Sequence, residues 1–342
     1  MVETAPAAGQ ALQCPAPAQG LDHVRRRRAL CSVEDRAPHR RTRRCHALAR
    51  TPSGSRRTGR ALAGLAPAQG GRPRGVKPAA LVLAGSRPGP PDPVAASEGV
   101  WHKALVEIEG QTMLARVVDA LRTAEIDRIA VLASDPKVMD HARELGCEVL
   151  LAAAGPSASV AIGLEKLGAP LLVTTSDHAL LRPEWVRDFI TDTPAETDVA
   201  VLLARREAIE TAMPDSKRTY LRFADGQWSG CNLFLLASEQ AGKAIDTWKM
   251  VEADRKRPWH IAARLGLGML VSYAIGRLTL AEAIAGLGRR IGVNASLVAA
   301  RDGLAAVDVD KPKDLADARA IIAARAPAQA PVTCTSSPPG ST

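Results

Sequence analysis

Between residues 78 and 204 the chain alternates short unbroken apolar runs with longer stretches whose apolar positions recur at helical spacing. The run at 78–85 is continuous, built from Ala, Leu and Val, and stops at a glycine, which is the profile of a strand buried on both faces. In 111–124, Met113, Leu114, Val117, Val118 and Leu121 return every three or four positions and predict one buried helix face. Further strands are predicted at 128–133, 147–151, 171–175 and 198–204. Helices fall between them: 136–145 closed by Gly146, 157–167 ended by Gly168, and 183–190 opened by Pro183. Short connections between alternating strands and helices argue a three-layer α/β domain with a mainly parallel sheet. Beyond 204 the texture is less regular. It predicts a strand at 233–236, a helix at 238–248, a mostly helical Leu/Ile/Ala-rich insert over 258–288, a last strand at 304–309 and a helix from 312 to 325.

The flanks have a different character. Residues 1–76 mix Ala/Pro/Gly-rich pieces with arginine clusters (Arg25 to Arg28, Arg40 to Arg44, Arg56 to Arg60), show no useful period, and are predicted to be disordered. A mis-assigned start upstream of the domain, a solvated tail, and an anchor for nucleic acid or an anionic membrane all remain open for them. The lack of aromatics among the arginines weighs against the anchor. Residues 327–342 read as a second tail, so the folded domain is expected over 77–326.

Charge changes the picture once it is divided. The net charge is +9, but residues 1–78 hold 16 Lys/Arg against 4 Asp/Glu, which leaves 29 against 32 for the rest. The domain itself is slightly acidic, and no specific nucleic-acid partner is expected. Aromatics are 3% of the chain, so the core falls to Ala, Leu, Val and Ile. The six cysteines show no metal-ligand or disulfide spacing, which fits a reducing cytoplasm. No apolar run reaches the ~18 residues of a membrane span, and the arginine-rich start lacks the apolar stretch of a secretory signal.

In a parallel α/β sheet, ligands bind beyond the carboxyl ends of the strands, and four segments stand there with suggestive chemistry. Leu83-Ala84-Gly85-Ser86-Arg87 follows the first strand; it suits either a plain βα turn or a small-residue loop that lets backbone N–H groups approach an anion, with Arg87 adding charge. Lys103 precedes a short strand and is either a surface lysine or one that reaches back over that loop. Asp177 ends the 171–175 strand, where an acid either holds Mg²⁺ or caps the next turn. Asp308 and Asp310 share one face of an extended segment, and two such carboxylates call for a cation or a basic group between them; Asp310 also suits a cap for the helix that Pro312 begins.

Taken in order, these segments resemble the MobA-like NTP transferase family, which has a GT-A-type, Rossmann-like nucleotidyltransferase fold. The resemblance rests on Leu83-Ala84-Gly85 with Arg87, Lys103-Ala104-Leu105, and Ile108-Glu109-Gly110-Gln111-Thr112-Met113-Leu114. It continues through Ser159-Val160 with Gly163-Leu164, Asp177, Ser229-Gly230-Cys231-Asn232-Leu233-Phe234, and the stretch from Asp308 to Leu315. It spans about 78–325. It implies a Mg²⁺-dependent enzyme that moves a nucleoside monophosphate from an NTP to a small phosphorylated acceptor with release of pyrophosphate. Leu83, Ala84, Gly85 and Ser86 would contact the nucleotide, with Arg87 and Lys103 on its phosphates and Gly155 and Ser159 near the base. Asp177 would hold Mg²⁺, assisted by Asp308 or Asp310, and Asn232 would lie on the acceptor side.

Two features depart from the family pattern. Ser86 stands where a second glycine is usual, and 88–101 is longer and richer in proline, which implies a reshaped phosphate loop. Rival readings are a GT-A glycosyltransferase using a nucleotide sugar and a nucleotide-binding regulator without catalysis. The late position of Asp308-Val309-Asp310 favours the transferase of nucleotides. CTP and GTP are the favoured donors, while the acceptor and the oligomeric state stay open. Within the insert, core helices are expected, with an acceptor pocket or a membrane-facing surface as the alternatives.

Overall fold

Strand β1 (Ala79–Ala84) is buried along its length and pairs in parallel with β4 (Ile129–Ala133) on one side and β6 (Leu171–Thr175) on the other. The computed structural model describes residues 76–86, 89–216, 218–253 and 266–325. Beyond β4, β5 (Glu148–Leu151) extends the parallel set. On the far side of β6 runs the antiparallel strand β9 (Gly226–Leu236), then β7 (Val199–Arg205) antiparallel to β9, then β10 (Ala295–Ala299) parallel to β7. The eight-stranded sheet thus has the order β10-β7-β9-β6-β1-β4-β5, with β8 (Leu221–Phe223) paired to β9. A separate two-stranded ribbon joins β2 (Glu107–Ile108) to β3 (Gln111–Thr112).

Because side chains alternate across a strand, β1 feeds two cores. Ala80, Val82 and Ala84 face helices α2 (Met113–Thr123), α3 (Pro136–Glu144), α5 (Pro183–Asp192) and a C-terminal helix, α10 (Pro312–Arg325). Ala79 and Leu81 face α4 (Pro156–Leu167) and α7 (Gly242–Ala253). Each fully buried leucine or valine in these layers contributes about 1.5–3 kcal/mol. The helix starts are set by sequence: Thr112 Oγ1 accepts from Ala115 N at 3.0 Å to cap α2, and Asp135 caps α3 ahead of Pro136. Gly163 lets α4 lie against β1, since a Cβ there would come within 2.3 Å of Leu81. The three-layer, mainly parallel but mixed sheet expected from the alternation is the observed fold.

The C-terminal half departs from expectation in several places. The predicted strand at 304–309 is absent: Asp302 Oδ1 accepts from Leu304 N at 2.9 Å and winds Gly303–Ala306 into a 3-10 turn. Val307 and Val309 are buried because the extended stretch after that turn packs under the carboxyl end of β6, outside any ladder, so their alternation mimicked a strand. The last strand is instead β10, whose Ala-Ser-Leu-Val-Ala sequence is too short and mild to stand out. The strand predicted at 233–236 is the end of β9, whose Gly, Gln, Ser and Asn residues hid the remainder. The helix predicted at 238–248 opens as a 3-10 turn, Glu239–Ala241, before α7.

Within the expected insert lie α8 (Leu267–Ala274) and α9 (Leu280–Ile291). Helix α9 behaves as a core helix and buries Leu280, Gly286 and Gly288, but α8 has no buried residue, so the core expectation fails for it. The expectations for 1–75, for 254–265 and for the tail from 326 lie outside the described residues. The short helix α1 (Pro93–Ser97), capped by Asp92, and α6 (Arg206–Ala212) complete the described helices.

Candidate functional site

The carboxyl ends of β1 and β6 are tied together past the last strand residues, with Ser176 N donating to Leu83 O at 2.9 Å. This places Asp177 directly beside the start of the β1 loop. On its other side, Val309 N donates to the Asp177 carbonyl at 3.1 Å, which docks the 307–310 stretch against the same strand end.

Lys103 enters from a different part of the chain. His102 Nδ1 accepts from Ala104 N at 3.0 Å and folds Lys103–Leu105 into a 3-10 turn whose Ala104 is fully buried. The turn directs the Lys103 ammonium between two carboxylates, 2.6 Å from Asp177 Oδ2 and 3.1 Å from Asp310 Oδ1. Burial would lower the lysine pKa, but the Asp177 and Asp310 carboxylates outweigh it and hold the ammonium well above the ordinary lysine range. The cation needed between two carboxylates of this site is therefore supplied by the protein's own lysine. Asp177 Oδ1, in contrast, is buried with no hydrogen-bond partner.

Asp308 belongs to a second cluster. Its carboxylate pairs with Arg218, and Asn232 Nδ2 donates to Oδ2 at 2.7 Å. A bulge in β9 provides this contact: between the pairs Val201↔Phe234 and Leu203↔Gly230, the three residues Cys231 to Leu233 face Leu202 alone. Within the bulge Asn232 takes φ 50, a left-handed conformation that asparagine tolerates better than most residues, and its amide is thereby re-aimed onto Asp308. Asp308 and Asp310, expected to share one face, are committed to different partners, Asp308 to Arg218 and Asn232 and Asp310 to Lys103. Among the described residues no group of three or more His, Cys, Asp or Glu side chains is gathered as a ligand set.

Behind both clusters lies His178, 1% exposed and stacked on Trp185 with ring centroids 6.2 Å apart. Burial lowers its pKa to about 4 against the opposing pull of Asp177 and Asp308, so the ring is neutral at pH 7. Neither ring nitrogen makes a well-formed hydrogen bond.

The expected nucleotide side gathers around the β1 and β5 ends. Gly85 and Ser86 are exposed, and a Cβ on Gly85 would meet Ala152 Cβ at 3.5 Å, an ordinary contact, so the scaffold does not itself require glycine there. Arg87 lies outside the described residues. Ser159, 4% exposed, turns inward and its Oγ accepts from Ala153 N at 3.0 Å, shaping the loop that Ala152 begins. Gly155 is the N-cap of α4 and admits the Glu252 carboxylate, whose Oε1 lies 2.6 Å from where a Cβ would stand. Glu252 Oε2 accepts from Ser157 Oγ at 2.5 Å and from Ser157 N at 3.4 Å.

Sequence reasoning missed Arg218 and Glu252. Arg218 comes from an irregular stretch with no periodic signal. Glu252 lies 95 residues from its partner on a helix that reads as plain packing. Only the fold brings either of them here.

A solved structure described as a hypothetical transferase from Thermus thermophilus is 32% identical to this chain, with a TM-score of 0.60 over 70% of this chain and 100% of that one. A nucleotidyl transferase from Methanothermobacter thermautotrophicus is 18% identical, with a TM-score of 0.43 over 72% of this chain and 97% of its own. A CMP:2-keto-3-deoxy-manno-octonic acid synthetase complexed with CTP is likewise 18% identical, with a TM-score of 0.44 over 72% and 99%. At that distance neither of the last two adds to the reading of the site. No curated protein matches the chain. The model of the MobA-like NTP transferase domain matches residues 80–264, more than half of the chain and most of the sheet described above, and the chain belongs to that family.

Proposed function

We propose that the domain is a nucleotidyltransferase that moves a nucleoside monophosphate from CTP or GTP to a small phosphorylated acceptor and releases pyrophosphate. The observation that carries this reading is the meeting of Lys103, Asp177 and Asp310 at the carboxyl ends of β1 and β6, next to the exposed Gly85-Ser86 loop. Carboxylates and a lysine are what a polyphosphate substrate needs there, since the one binds a hard cation and the other screens phosphate oxygens.

Asp177 fits a Mg²⁺ ligand because Oδ1 is buried and unpartnered and carboxylate oxygen is the donor this ion prefers. Asp310, within reach of the same ammonium, is the second candidate, whereas Asp308 is engaged by Arg218 and Asn232. When bound, Mg²⁺ would supply charge neutralisation on the triphosphate. The backbone at Gly85 and Ser86 would bind the phosphates, and Lys103 would move from its carboxylates onto them. Arg218 and Asn232 would orient the acceptor phosphate. One of its oxygens attacks the α-phosphorus in line; the bond from that phosphorus to the bridging oxygen breaks, and pyrophosphate leaves with the electron pair. Positioning and charge screening suffice, and no protein nucleophile is required. We place the reaction in the cytoplasm, where NTP is available and the buried free thiols of Cys147 and Cys231 remain reduced.

The test is thermal-shift binding of the protein to ATP, CTP, GTP and UTP with Mg²⁺, repeated with Asp177→Ala. A shift with CTP or GTP that the substitution abolishes supports the reading. No shift with any NTP overturns it.

A further inference from the structure

Helix α8 is turned inside out. Its apolar positions Leu267, Val271, Ala274 and Ile275 follow one another at helical spacing, and that stripe points to solvent. Leu267 is 79% exposed, Val271 49% and Ile275 58%, and no residue of the helix is buried. The opposite side holds the helix to the domain. Met269 sits against Gly286 of α9, where a Cβ would come within 2.6 Å of the sulfur, and Tyr273 meets the edge of Phe223 with ring centroids 5.6 Å apart. The exposed stripe is therefore displayed from a fixed support. A contiguous apolar ridge of this kind on a soluble surface marks a docking site.

The charges around the ridge identify its partner. Between residues 266 and 293 the chain carries Arg277, Arg289 and Arg290 and one acid, Glu282, whose carboxylate is spent on the Thr279 cap of α9. The Arg290 guanidinium lies against Gly266 at the start of α8, and Arg277 follows its end, its N–H donating to Ser272 O at 2.8 Å. Arg222 is exposed on β8, next to the Phe223 that holds Tyr273. An apolar ridge with arginines at both ends suits a surface that is greasy within and anionic at its rim. A second copy fits less well. A twofold contact would set like-charged arginines against each other, and the ridge offers roughly a few hundred Å² a side where a standard interface takes ~800 Å².

We propose that α8 docks the domain onto the surface of an anionic lipid bilayer, with Leu267, Val271 and Ile275 entering the headgroup boundary and Arg277 and Arg290, at the two ends of the helix, meeting lipid phosphates. No helix among the described residues is long and apolar enough to cross a membrane, so the contact is peripheral. It is independent of the transferase reading.

The test floats the full chain with vesicles of phosphatidylcholine alone and with vesicles containing an equal amount of phosphatidylglycerol. Wild type is expected to float with the anionic vesicles. The combined variant Leu267→Glu, Val271→Glu, Ile275→Glu is expected to lose more than about tenfold of that binding, since the three side chains carry the buried area. A wild type that stays in solution overturns the proposal. So does a variant that floats equally well, which would assign binding to the arginine-rich segment before residue 76. As a check that does not depend on the triple variant folding, Val271→Cys in a chain whose Cys14, Cys31, Cys45 and Cys334 are replaced by serine, with an environment-sensitive dye at position 271, should shift to the blue on anionic vesicles. An unchanged spectrum there, or a shift that follows protein concentration without vesicles, rules the membrane out and in the second case assigns the ridge to a second copy.

Discussion

Asn232 does two jobs with one residue: its amide holds Asp308, and its backbone occupies the left-handed region at the β9 bulge. The two contributions separate by substitution. Asn232→Gly loses the amide but keeps the conformation, whereas Asn232→Ala loses the amide and strains the backbone. We expect Ala to unfold at lower denaturant than Gly, by about 1 kcal/mol after allowing for the entropy cost of glycine. Equal midpoints would show that the left-handed strain at the bulge is no larger than the entropy cost of glycine.

His178 gives a pH dependence at the same scale. Its folded pKa, about 4, lies below the unfolded value near 6.5, so the unfolded chain takes up the proton first as pH falls. Stability from this group is complete above pH 6.5, declines as pH drops and is gone below about 4, a loss of roughly 3 kcal/mol. Comparing wild type with His178→Gln between pH 7 and 4 checks it: the variant should show the shallower decline. Lys103→Met belongs here too. It removes the charge between Asp177 and Asp310, and we expect turnover to fall on the order of 10²–10³.

At the level of elements, α4 fits closely on β1. Gly163→Ala would drive a methyl into Leu81, a side chain with no exposure, and overpacking of this kind costs about 1–3 kcal/mol. A melting temperature unchanged in Gly163→Ala would mean that the clash costs no more than the roughly 1 kcal/mol that alanine gains over glycine inside a helix. The elements of this half were legible because buried parallel strands and amphipathic helices leave strong periodic signals, as in 78–85 and 111–124. The C-terminal half was not. Val307 and Val309 alternate like a strand while packing under a strand end, and β9 breaks its own apolar pattern at the bulge that positions Asn232. The site divides along the same line. Lys103, Asp177 and Asp310 could be named because each stands next to a recognisable element. The pairing of Asp308 with Arg218, and of Ser157 with Glu252, depends on tertiary packing across 90 and 95 residues, which no local pattern encodes.

The whole molecule carries its charge unevenly. Residues 1–75 hold 15 Lys/Arg and 4 Asp/Glu, so a protein lacking them would fall from +9 to −2. At pH 7 the full chain should bind a cation exchanger and the shortened one should pass through it. The ammonium of Lys103 and the carboxylate of Asp310, 3.1 Å apart, are separated by 207 positions in the chain. On a ribosome, the lysine emerges and its own strands can pair long before the aspartate is made. The proposed constellation therefore closes late, as one of the longest loops the domain must tie. A chain released early would fold much of its sheet and still lack one wall of the site. Activity thus reports on completed synthesis in a way that helix content does not.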